Sequence, residues 1–156
     1  MSRRNISKKR FPEIDSLYDS YLVSLLINRI LKSGKKMLAK NIVYEAFSII
    51  EKKTDEQPLY IFEKAIYNAS PTLEVKARRI GGSTYQVPIE VNRYRATNLS
   101  LKWIIRYSKQ RVGRSMSLRL ANEIIDTSKN IGNTIKKRDE THKMADANKA
   151  FAHFRY

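Results

Sequence analysis

The 156-residue chain contains no cysteine. Disulfides, thiolate metal sites and cysteine nucleophiles are therefore excluded. Histidine is nearly absent too. His142 and His153 are the only two, and neither stands in a His-Glu-x-x-His pattern or near a second ligand at metal spacing. Five glycines cannot make a G-x-G-x-x-G turn. Gly34-Lys35-Lys36 looks superficially like a phosphate loop, but that loop needs glycine where Arg29 stands and serine or threonine where Lys36 stands. No ordered Ser/His/Asp set emerges, so no catalytic site, metal or cofactor is expected. There is no run of 18 apolar residues and hence no expected membrane span. An amphipathic membrane-surface helix near either end is missing, as is the apolar block of a signal peptide. Acid is scarce: 15 Asp and Glu face 31 Lys and Arg, a net charge of +16. Such an excess repels itself unless the working state includes a polyanion, and nucleic acid is the first choice.

What is present is mostly helical in period. Residues 1–12 hold Arg3, Arg4, Lys8, Lys9 and Arg10, no acid and little to bury. A basic arm over 1–15 is expected, unfolded until a partner orders it. From Ser16 the spacing of Leu22, Leu25, Leu26 and Ile30 predicts a first helix, stopped by Gly34. Ala39, Val43, Ala46, Phe47 and Ile50 mark the buried side of a second. A third opens at Pro58, carries Leu59, Phe62, Ile66 and Ala69, and ends before Pro71.

Two period-2 runs then flank Gly81-Gly82, over about 73–91. Leu73, Val75 and Ala77 alternate with Glu74, Lys76 and Arg78; Tyr85, Val87, Ile89 and Val91 alternate with Gln86, Pro88 and Glu90. This reads as a β-hairpin with a small, cationic tip. Pro88 cannot donate to a ladder, so its strand needs an open edge.

The fourth helix, about 94–110, places Arg95, Lys102, Arg106 and Lys109 on one narrow stripe, away from Leu101, Ile104 and Ser108. Eight basic residues and no acid lie between Val91 and Asn122. Helix surfaces usually mix signs, because opposite charges one turn apart attract. An unpaired stripe implies a counter-charge on another molecule. Ser115 is positioned to cap a fifth helix carrying Leu118, Ala121, Ile125 and Ser128. After Gly132-Asn133 a sixth helix, about 134–148, is mostly charged, with Met144, Ala147 and Phe151 as a thin apolar strip. Of nine tyrosines, Tyr85 and Tyr156 are the candidates for outward stacking, and the aromatic pair of an RRM sheet is missing.

Val75-Lys-Ala-Arg-Arg-Ile-Gly-Gly-Ser-Thr-Tyr-Gln-Val-Pro-Ile-Glu90 closely resembles the hairpin of the ribosomal protein S-seven family of the small subunit. Glu140-Thr-His-Lys-Met-Ala-Asp-Ala-Asn-Lys-Ala-Phe-Ala-His-Phe-Arg155 resembles that family's ending. Met116-Ser-Leu-Arg-Leu-Ala-Asn-Glu123 and Met1-Ser-Arg-Arg4 are similar as well. The resemblance implies a mainly α fold: six helices with one long hairpin between the third and fourth, as a single domain over 16–156. It implies a non-enzymatic binder of small-subunit rRNA that nucleates the head on the three-prime major domain. It further implies a place beside exit-site tRNA and mRNA, and contact with ribosomal protein S-eleven, near S-nine and S-thirteen. No homo-oligomer is expected.

For rRNA the expected residues are the arm (Arg3, Arg4, Lys8, Lys9, Arg10), Lys35 and Lys36, and the stripe Arg95, Lys102, Arg106 and Lys109. Arg114 and Arg119 complete that set. For the tRNA and mRNA path they are Lys76, Arg78, Arg79, Gly81, Gly82 and Tyr85 on the hairpin. Lys136, Lys137, Arg138 and Lys143 join them from the final helix. The Lys, Ile, Asn and Tyr bias points to a plastid stroma, with a bacterial cytoplasm as the alternative. A basic helical DNA-binding regulator is the competing reading, but no recognition helix opening with base-reading side chains is found.

Overall fold

The computed structural model describes residues 11–155; the arm residues Arg3, Arg4, Lys8, Lys9 and Arg10, and Tyr156, lie outside them. The element order is α1 Tyr21–Ile30, α2 Lys36–Thr54, α3 Pro58–Ala69, β1 Leu73–Ile80, β2 Ser83–Glu90, α4 Arg93–Gln110, α5 Met116–Ser128, α6 Asn133–Ala147 and a C-terminal 3₁₀ segment Lys149–Arg155. The fold is mainly helical, with the single hairpin between α3 and α4 as the sequence implies.

α5 is the hub, packing on α2, α3 and α4. Phe47 and Phe62 meet at 5.4 Å and Tyr18 closes on Phe47 at 5.0 Å. Leu101, Ile104, Leu120 and Ile124 fill the core, fully buried. On α5 the buried stripe is Leu120, Ala121, Ile124 and Ile125, whereas the expected Leu118 is only half-buried. On α6 the expected strip fails: Met144 is 44% exposed, and Thr134, Ile135 and Ala145 face inward instead. A mostly charged helix gives too weak a period to choose its buried side.

α1 starts five residues later than Ser16. The Asp15 carboxylate accepts the backbone N–H groups of Leu17 and Tyr18 at 3.2 and 3.3 Å, a local turn that competes with helix. Asp19 then takes a positive φ of 44°. Buried Asp15 also accepts the Tyr44 hydroxyl at 2.9 Å and faces Lys40 at 3.9 Å, which pins residues 15–20 to α2. Nor does Gly34 cap α1. The helix closes at Leu31, and Gly34 joins Ser33 at positive φ in the turn that reverses the chain into α2.

The hairpin turn is two residues long, and Gly81 and Gly82 both stand at positive φ (57° and 92°), as a type I′ turn demands. That turn fixes the register Ile80↔Ser83 through Leu73↔Glu90, so odd residues of β1 oppose even residues of β2. Leu73, Val75 and Ala77 therefore lie on the opposite face from Tyr85, Val87 and Ile89. The covered face is the one with Val87 (0% exposed) and Glu74 (8%). α6 packs on β1 and the C-terminal 3₁₀ segment on β2.

Candidate nucleic-acid interface

α4 turns the apolar period into a two-sided helix. Asn92 caps it by accepting the Tyr94 N–H at 3.3 Å. Leu101, Trp103, Ile104, Ile105 and Ser108 go inward, while Arg95, Lys102, Arg106 and Lys109 go outward and are exposed. Lys102, Arg106 and Lys109 have no ion pair or side-chain hydrogen bond among the described residues. Arg95 departs from the expectation of an unpaired stripe: its Nε donates to both Glu74 oxygens at 2.8 Å. The hydrogen bond and charge of Glu74 raise the Arg95 pKa further.

Arg29 extends the stripe. It lies in the last turn of α1, is exposed, and donates to Asn98 Oδ1 on α4 between the levels of Arg95 and Lys102. Its partner Asn98 lies 69 residues away in the chain, so local sequence does not reveal the pairing. The α1 period gave no signal for it, because Arg29 follows Leu22 by two turns and Leu25 by one, on the side that reads as apolar. Lys32 and Lys35 follow in the exposed α1–α2 turn, and exposed Lys36 opens α2. The loop lysines and the α4 stripe are thus linked through the end of α1.

Arg114 is exposed and free of partners among the described residues. Arg119 is instead a brace, donating to the Ser115 and Lys109 carbonyls at 3.3 Å each. A Cβ on Gly113 would fall 2.8 Å from its Cγ, so glycine is required there for Arg119 to lie flat. Arg111, inside the same acid-free window, is also occupied. It donates to Glu123 and Asp126 across the α4–α5 junction, and Glu123 is 1% exposed and receives the Thr134 hydroxyl as well. Burial lowers the Arg111 pKa, but the bonds to Asp126 and Glu123 outweigh it and raise the net value.

The second set is also divided. Arg79, Lys136 and Lys143 are exposed and unpaired among the described residues. Lys76 stands 3.8 Å from Glu74, Lys137 2.8 Å from Glu140, and Arg138 grips Asp139 and the Asn68 carbonyl. Arg78 reaches the Phe154 carbonyl at 3.5 Å. Tyr85, expected to stack outward, is covered by Phe151 and Phe154 at 5.5 and 5.1 Å. Gly81 and Gly82 have open space around them, so the tip can approach another backbone closely.

A cleft of about 1100 Å³ opens between α3, the hairpin base, α4 and α6. Its histidine, His142, has its Nε2 taken by the Thr72 backbone N–H at 3.0 Å. Among the described residues no three His, Asp or Glu side chains gather as a metal site, and no helix is long and apolar enough to cross a membrane.

Free cations on a rigid helical face, a preorganised basic turn and a projecting hairpin define a polyanion-binding helical protein. The particular family follows from comparison. Residues 2–149 match the family described as Ribosomal protein S7p/S5e. The chain is 76% identical over 144 residues to the small ribosomal subunit protein uS7c of Trieres chinensis, covering 92% of this chain and 91% of that protein. It is 57% identical over 157 residues to uS7 of Crocosphaera subtropica and 54% over 156 residues to uS7 of Arthrospira platensis, each end to end. The chain belongs to the ribosomal protein S7p/S5e family, structural rRNA-binding proteins of the ribosome that are not enzymes.

Proposed function

We propose that the chain holds the head of the small ribosomal subunit together by binding the three-prime major domain of its rRNA. The contacts are the outward face of α4 (Lys102, Arg106, Lys109), the turn with Lys35 and Lys36, Arg114, and the arm residues Arg3, Arg4, Lys8, Lys9 and Arg10. The observation that carries this is the run of free cations on α4, whose counter-charge the described chain does not supply. Phosphates supply it, releasing condensed counterions as they bind. Arg95 and Arg119 act indirectly, by holding the hairpin base and the α4–α5 turn.

The hairpin tip and α6 face a different partner. Arg79, Lys136 and Lys143 stand on elements that add little to the core, and Gly81-Gly82 lets the tip close on a backbone. In our reading they meet exit-site tRNA and mRNA, with ribosomal protein S-eleven against this end and S-nine and S-thirteen in the same head. The compartment is a plastid stroma. The 76% identity to a protein designated uS7c, against 54–57% to the uS7 proteins of Arthrospira platensis and Crocosphaera subtropica, supports that choice.

The test is affinity for a head-domain RNA fragment across a salt series. With roughly 6–10 phosphates neutralised, affinity falls about 10³–10⁵-fold between about 50 and 200 mM salt. Lys102→Glu with Arg106→Glu cripples binding and leaves the circular dichroism of the helices intact. A salt-independent affinity would overturn the reading.

A further inference from the structure

α3 carries a face that neither its own core nor an RNA partner explains. Ile61, Phe62, Ala65, Ile66 and Ala69 bury one side. On the opposite side Tyr60 and Tyr67 are 58% and 83% exposed, two turns apart on one stripe. Glu63 lies between them, and Asp55 and Glu56 precede the helix. Neither tyrosine has a ring contact or a hydroxyl partner among the described residues. Lys64 borders the stripe on its far side.

The acids beside the rings are free. Among the described residues Asp15 pairs with Lys40, Glu74 with Arg95, Glu123 and Asp126 with Arg111, Asp139 with Arg138, and Glu140 with Lys137. Asp55, Glu56 and Glu63 have no ion pair or side-chain hydrogen bond among the described residues. The helix dipole accounts for acids at the start of α3, but not for Glu63 beyond its first turn or for two solvent-facing tyrosines.

Phosphate is repelled by this arrangement, whereas a protein cation is attracted twice. Carboxylates pair with it, and tyrosine faces attract it through their ring quadrupole. Tyrosine is also a preferred anchor at protein interfaces. We propose that the Tyr60–Glu63–Tyr67 face of α3 docks a lysine- or arginine-rich segment of a neighbouring protein, opposite in charge preference to the α4 face. This goes beyond RNA binding, and it stands or falls separately from it.

The full-length protein is titrated with a labelled nona-arginine peptide and, in parallel, with a Gly/Ser peptide and the head-domain RNA fragment. The cationic peptide binds despite the protein's net +16, and the Gly/Ser peptide does not. Tyr60→Ala with Tyr67→Ala weakens peptide binding about tenfold, from two lost cation–π contacts. Glu63→Lys weakens it further. RNA affinity and circular dichroism stay unchanged in both variants, because all three side chains are exposed. In assembled small subunits, a photo-crosslinking residue at position 67 joins a basic protein segment. No peptide binding, equal peptide binding by the variants, or a crosslink at position 67 to RNA instead of protein overturns the proposal. Loss of RNA affinity in these variants would assign the face to RNA and overturn it equally.

Discussion

The Arg95 guanidinium donates one N–H to both oxygens of Glu74 at 2.8 Å, tying the base of the hairpin to the first turns of α4. Glu74 is buried on the covered face of β1, and Arg95 is half in solvent. The pair therefore orients the hairpin at the expense of one cation on the RNA-facing stripe.

Glu74→Gln separates those two roles. The neutral amide keeps the shape and loses the charge-assisted bond. Solvent screening at Arg95 limits the stability cost to about 1 kcal/mol. Released, Arg95 rejoins the stripe, so RNA affinity at low salt rises and the salt slope steepens by about 0.9. A denaturant melt and a salt titration on the same variant check both halves. A fall in RNA affinity would count against the division of labour.

Glu123 anchors the α4–α5 junction, where Arg111, Asp126 and Thr134 converge. Glu123→Ala leaves Arg111 half-compensated and Thr134 without its acceptor in a buried place. The expected loss is about 3 kcal/mol, which for a chain of this size is roughly 6–12 °C in Tm. Thermal unfolding of the free protein measures it. RNA affinity at low temperature should be unaltered, since none of the four side chains belongs to the free stripe.

Alkaline pH acts through α2. Burial raises the Tyr44 hydroxyl above 10.0, and its hydrogen bond to Asp15 adds to the shift. Tyr18 is raised as well, by burial first and then by the Glu51 and Asp15 carboxylates. A raised folded value means that these phenols hold their protons more tightly folded than unfolded. Their contribution is complete below pH 10 and is lost as pH climbs through the folded values. Tyrosinate absorbance should show late-titrating groups among the nine tyrosines. Tyr44→Phe should flatten the fall of Tm above pH 10.

Helix number, the hairpin and the place of most core side chains on α2, α3 and α4 were legible because their periods are strong. The α5 stripe shifted and the α6 strip failed where charge outnumbers apolar residues and the period fades. The start of α1 was hidden because Asp15 satisfies local N–H groups that a helix would otherwise claim. On the site, exposure of Lys102, Arg106, Lys109, Lys35 and Lys36 followed from the helical wheel and the turn. The pairing of Arg95 and Arg111 did not. Their acids, Glu74, Glu123 and Asp126, lie outside the acid-free window 91–122 and reach it only through tertiary contact.

Tyr85 leads to the last prediction. Its ring is clasped by Phe151 and Phe154 of the C-terminal 3₁₀ segment, and Arg78 reaches the Phe154 carbonyl. The 3₁₀ segment packs on β2, and a two-stranded hairpin is marginal without packing. Phe151→Ala with Phe154→Ala should thus loosen the hairpin and leave the helical core intact. Hydrogen exchange is the direct measurement: amides of 76–87 lose protection, and those of α2 and α5 keep theirs. If the tip with Arg79 meets exit-site tRNA, subunits carrying the double variant assemble normally and hold that tRNA less well. Deleting 79–84 should produce the same loss by removing the tip outright. Unchanged exchange in the hairpin would show that α6 alone positions it. Failed head assembly with normal tRNA retention in the surviving particles would move the hairpin to the rRNA side of the molecule.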